Sequence, residues 1–178
     1  AGDPALDGFI AEGGVALRDF ARFEAIAASV GHTYWQTWPT ELRDPGSPDV
    51  AAFAASHAPE IRFTCFMQML ADRQLGLAPD HARAAGLSIG LYRDLAIGCA
   101  PDGAEAWADQ DRMLTGVSVG APPDPFSATG QVWSLPPANP LRMADDGFAR
   151  VAALFAANMR HAGALRIDGG GSLVVAPG

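Results

Sequence analysis

The chain has no lysine. All twelve basic residues are arginine, set against twenty acidic ones, so the net charge is −8 and the pI about 4.7. An acidic surface repels phosphate, so nucleic acid and anionic membranes are not expected as partners. Cysteine is scarce as well: Cys65 and Cys99 are too few for a disulfide framework, lack metal-ligand spacing, and read as small buried side chains. No apolar run reaches the ~18–20 residues of a membrane span and no secretory leader opens the chain, so a cytoplasmic protein is expected. No cofactor and no metal are expected either. Charged residues make up 18% and hydrophobic ones 49%, which excludes a disordered chain; 178 residues are enough for one domain with a real core.

Helical periodicity dominates the first half. Phe9, Val15, Ala16, Phe20, Phe23, Ile26 and Ala27 fall near helical spacing and predict a helix over 8–30. Trp35, Trp38, Pro39, Pro45, Gly46 and Pro48 then mark a loop. A second helix starts near Val50. A longer one starts near Pro59, carries Ile61, Phe66, Met69, Leu70 and Leu77, and extends, kinked by Pro79, to Ala85. After Gly86 the period changes, and 87–97 reads as a buried strand ending in Asp94-Leu95-Ala96-Ile97. The stretch 98–141 is rich in proline and glycine and reads as a long ordered loop with one short helix at 104–108; loops that long in a compact domain usually serve function. Asp145 or Asp146 is the expected cap of a last helix, with a strand at 164–168 after it.

Helix, strand, long loop, helix, strand is the grammar of an α/β protein with a parallel sheet. Strand side chains alternate sides, so Arg166 and Asp168 share a face. At the carboxyl end of a barrel strand such a pair sets a carboxylate beside a fixed cation, as the nucleophile of a retaining glycosidase requires. Asp94 ends the preceding strand in the same way. A surface Arg–Asp pair and a loop cap are the plain readings of these residues.

Several longer motifs resemble the bacterial 4-α-glucanotransferases, or amylomaltases. They are Phe66-Met67-Gln68, the run from Gly86 through Arg93-Asp94 to Gly98, Gly120-Ala121-Pro122-Pro123-Asp124-Pro125-Phe126-Ser127, Thr129-Gly130-Gln131-Val132-Trp133, and Ala164-Leu165-Arg166-Ile167-Asp168. The resemblance runs from about residue 6 to 168. It implies a partial (β/α)-barrel of the α-amylase type with an inserted helical subdomain, and transfer of α-1,4-glucan segments through a covalent glycosyl intermediate. It also implies Asp168 as nucleophile, Arg166 as its support and Asp94 in the sugar site. Asp124, Phe126, Ser127, Gln131 and Trp133 would belong to a loop arching over the glucan groove. The implied partner is an α-1,4-glucan or maltooligosaccharide.

The expected organisation is a helical subdomain at 1–58, barrel elements at 59–168 and a glycine-rich tail at 169–178. Departures are plain. Gly169 stands where the family has a histidine, and Ser134 and Ala138 where it usually has a glycine and a larger residue. No acid/base glutamate follows Asp168. Glu105 belongs to a different shared motif, Ala104-Glu105-Ala106-Trp107-Ala108, and reads as a helix-surface residue. The chain by itself is therefore expected to be inactive, with a non-catalytic glucan-binding or structural module as the alternative and a complementing fragment as a third reading. Self-association through open sheet edges is expected. Trp107 reads as core and His161 as a surface residue at a helix C-terminus. His32, Tyr34, Trp35 and Trp38 fit either a sugar platform or the packing of the helical subdomain, the latter preferred.

Overall fold

The computed structural model describes residues 3–96, 98–167 and 174–177, the last as backbone only. The chain is a mixed helix and strand protein. Its elements in order are α1 (Pro4–Val30), α2 (Pro48–Ser56), α3 (Ala58–Ala84), β1 (Tyr92–Leu95), α4 (Ala104–Ala108), β2 (Val117–Ala121), β3 (Gln131–Leu135), α5 (Pro140–Asp145), α6 (Ala149–Met159), β4 (Ala164–Ile167) and β5 (Val174–Pro177). It divides into two compact units, one of residues 1–73 with 102–109, the other of 74–101 with 110–178. The division falls inside α3, and the short helix α4 joins the first unit although it follows β1 in the chain.

The first unit is helical because its ends are capped and its apolar residues meet. Asp3 caps α1 by accepting from the Ala5 and Leu6 amides, and Ser47 caps α2 by accepting from the Val50 amide at 3.1 Å. Gly14 breaks the regular turn within α1 at φ +55°, a conformation that suits glycine, and Gly31 closes the helix at φ +92°. Phe23, Trp38 and Trp107 form a buried triad with ring centroids 5.1 to 6.1 Å apart. Both indoles lie at 0% exposure, with Ile26 and Val50 packed beside them. Burial of an indole requires a partner for its N–H: Trp38 donates to the His32 carbonyl at 3.0 Å and Trp107 to the Leu42 carbonyl at 3.1 Å. A second cluster joins Leu6 and Ala21 of α1 to Cys65 and Met69 of α3. There burial pushes the Cys65 thiol above its ordinary value, with the nearby Arg62 charge a smaller opposing influence.

The second unit holds two small sheets. β1 and β4 pair in parallel, with Tyr92 opposite Ala164 and Asp94 opposite Arg166. β2 lies between β3 and β5, antiparallel to both. On the face away from Asp94, Leu95 is buried and Arg93 donates to the Asn158 carbonyl in the last turns of α6 at 3.0 Å. Among the described residues neither β1 nor β4 has a further strand partner.

Three expectations change. The strand expected over 87–97 is only Tyr92–Leu95, and Leu87, Ile89 and Tyr92 are exposed rather than buried. Gly86 and Gly90 have positive φ, and the Gly90 amide turns back onto the Leu87 carbonyl, so the segment before β1 is a turn. The 98–141 region is not mainly loop, since β2 and β3 pair across it. Gly120 allows that pairing, because a side chain there would strike the Gln131 carbonyl. Finally, neither Asp145 nor Asp146 caps the last helix. Asn139 caps α5 by accepting from the Leu141 amide at 3.1 Å, Asp146 pairs with Arg112, and Phe148 occupies the cap position of α6 at φ +61°.

Candidate functional site

The strand register creates a cross-strand ion pair. Residues opposite each other in a parallel ladder share a face, so Asp94 of β1 and Arg166 of β4 emerge side by side. The Arg166 guanidinium donates to the Asp94 carboxylate at 2.7 Å. Both side chains are about half exposed, so the pair contributes geometry more than stability. Sequence spacing pointed to Asp168 as the arginine's partner. Asp168 lies outside the described residues; within them, Arg166 is held by Asp94. The missed signal was the alignment of the two strand ends, each closing an apolar run with a charged residue.

The hairpin tip between β2 and β3 shows what Asp124 and Ser127 do locally. The Asp124 carboxylate accepts from the Phe126 amide at 2.8 Å and the Ser127 amide at 2.7 Å, while the Ser127 hydroxyl donates to the Gly130 carbonyl at 2.7 Å. Asparagine and aspartate favour such turns because a short side-chain acceptor reaches amides two and three residues on. The result is a braced tip that projects Phe126 outward at 99% exposure. On β3, Gln131 and Trp133 lie two apart and so on one face, and the indole donates to the Gln131 amide oxygen at 2.9 Å. The Trp133 ring is half-buried. The far end of β3 approaches the chain just after β1, where a Cβ on Gly98 would come 2.9 Å from the Leu135 side chain.

The structure thus forms three local groups: Asp94 with Arg166, Asp124 with Phe126 and Ser127, and Gln131 with Trp133. Ser134, next to Trp133, holds φ at +57°. That conformation costs an ordinary residue about 1–2 kcal/mol, whereas glycine adds an unfolded-state entropy cost of about 0.5–1 kcal/mol. Ser134→Gly should therefore stabilise the fold by up to ~1 kcal/mol, seen as a higher urea midpoint. A lower midpoint would mean that the serine side chain contributes more than its backbone strain costs. Among the described residues no group of His, Cys, Asp or Glu could hold a metal ion, and no described helix is long and apolar enough to cross a membrane.

Solved amylomaltases share the fold of this chain. The amylomaltase of Corynebacterium glutamicum is 33% identical and superposes with a TM-score of 0.71 over 92% of this chain and 21% of its own. That of Streptococcus agalactiae, solved in complex with acarbose, is 23% identical and shares the fold with a TM-score of 0.85 over 97% of this chain and 36% of its own. The 4-alpha-glucanotransferase of Mycobacterium tuberculosis is 44% identical over 155 residues, 87% of this chain. The family model for 4-alpha-glucanotransferase matches residues 2–169, and the chain belongs to that family. It spans 21% of the length of the M. tuberculosis and C. glutamicum proteins and 36% of that of the S. agalactiae protein.

Proposed function

We propose that this chain forms the nucleophile-bearing and groove-lining part of an enzyme that transfers α-1,4-glucan segments by a retaining double displacement. It would do so on a partial (β/α)-barrel, with the helical unit as an insertion, in the cytoplasm. The observation that carries the reading is the parallel register bringing Arg166 against Asp94 at adjacent strand ends. In this reading Asp168 attacks the anomeric carbon, the leaving glucan departs with a proton from an acid, and the sugar stays bonded to the carboxylate until an acceptor hydroxyl displaces it. Arg166 keeps a positive charge beside the nucleophile, and Asp94 holds Arg166 in place while facing the sugar. Phe126 and Trp133 offer stacking faces, and Gln131 an amide for hydroxyls.

One observation favours the alternative of a glucan-binding module without catalysis. All five glutamates, Glu12, Glu24, Glu41, Glu60 and Glu105, lie in the helical unit and none in the unit that carries β1 and β4. Both readings require the groove to bind sugar. Titration with maltoheptaose should change Trp133 fluorescence with a Kd on the order of millimolar, since one stacking face and a few exposed hydrogen bonds must outweigh the ordering of chain and ligand. Trp133→Ala should abolish the response. An unchanged spectrum together with no calorimetric heat would leave a purely structural role.

A further inference from the structure

The aromatic cluster at 32–38 divides into two parts with different fates. Trp38 is wholly buried and Trp35 packs against the same core. Tyr34 instead keeps 62% of its surface in solvent, and His32 beside it is exposed. Their ring centroids lie 6.3 Å apart, with the planes tilted by 48°. The core of the helical unit accounts for the tryptophans and leaves these two rings unexplained.

The backbone beneath them is firmly held. The Trp38 indole donates to the His32 carbonyl, and the Thr37 amide and hydroxyl both donate to the Tyr34 carbonyl, at 2.9 and 2.8 Å. The hydroxyl of Thr33, the residue between His32 and Tyr34 in sequence, donates to the Asp102 carboxylate at 2.8 Å. A short loop with this bracing loses little freedom when a ligand arrives, which is what makes an exposed ring useful for weak binding. Exposed aromatic faces suit the apolar C–H faces of pyranose rings. Successive glucosyl rings in an α-1,4 chain turn relative to one another, so two tilted faces follow its curve, whereas a straight, flat chain would need coplanar ones. The Asp102 carboxylate, tied to the loop through Thr33, supplies a polar group at the margin.

We propose that Tyr34 and His32 form a second contact for linear α-1,4-glucan, on the helical unit and separate from the residues at the ends of β1 and β4. It rests on the glucan reading of the family site but uses none of that site's residues. It would hold a polymer by stacking and perform no chemistry.

Native electrophoresis in gels cast with soluble amylose, against gels cast with α-1,6-linked dextran, tests it. The chain should be retarded by amylose and not by dextran. Tyr34→Ala should weaken the apparent affinity about three- to tenfold, the scale of one aromatic stacking contact. Tyr34→Phe should keep it, and His32→Ala should weaken it to a lesser degree. Because both rings are exposed, these variants should melt with the wild type; if Tyr34→Ala does not fold, His32→Ala decides by itself. Trp133→Ala, which tests the other site through its fluorescence, should leave the Tyr34-dependent retardation in place. No retardation of the wild type, equal retardation in dextran, or unchanged retardation in folded Tyr34→Ala or His32→Ala would overturn the proposal.

Discussion

Incubated with maltotriose, the 178-residue chain by itself is expected to release no glucose above a buffer blank. Retaining transfer needs two carboxyl groups roughly 5–5.5 Å apart, one to attack and one to protonate the leaving sugar. On the strand paired with the proposed nucleophile strand the carboxylate is Asp94, and Arg166 already holds it at 2.7 Å. The unit that carries β1 and β4 contains no glutamate. Loss of general acid catalysis alone removes a factor of about 10²–10⁴, and the exposed strand ends add little positioning to offset it. Glucose release that vanishes in Asp168→Asn would refute this and would mean that a carboxylate of this chain acts as the acid.

The largest effect on stability is expected at Trp107. Its ring is fully buried, completes the triad with Phe23 and Trp38, and donates its N–H to the Leu42 carbonyl. Trp107→Ala opens a cavity beside two aromatic neighbours and leaves a buried carbonyl without that donor, at a cost of about 3–5 kcal/mol. Against the 5–15 kcal/mol typical of whole domains, that brings the helical unit close to unfolding at room temperature. Urea denaturation followed by circular dichroism should show the midpoint falling sharply. A change below ~1 kcal/mol would mean that α4 is not part of the helical core.

Local signals were legible wherever neighbours in the chain decide structure. The long helices, their proline and glycine boundaries, the short helix at 104–108 and the strand at 164–167 follow from periodicity and capping chemistry that each segment carries within itself. Trp107 was legible as core for the same reason, since small residues flank it on a short helix. The β2–β3 pairing was not, because its residues come from either side of a turn and proline-rich spacing hides their alternation. The turn at 87–90 was missed because a run of apolar residues outweighed two glycines that in fact reverse the chain.

The site shows the same division more sharply. Which residue types can take part was written in the chain: aspartates and an arginine near strand ends, an aromatic hairpin, and the motifs shared with the 4-alpha-glucanotransferases. Which of them meet was decided only by the fold. Arg166 and Asp94 are 72 positions apart, and they touch because two strands align in parallel with one register. A shift by a single residue would send one of them to the opposite face. Likewise His32, Tyr34, Trp35 and Trp38 look alike in sequence. Only packing against Phe23 and Trp107 takes Trp38 into the core and leaves Tyr34 in water, because a filled core has room for some rings and excludes the rest.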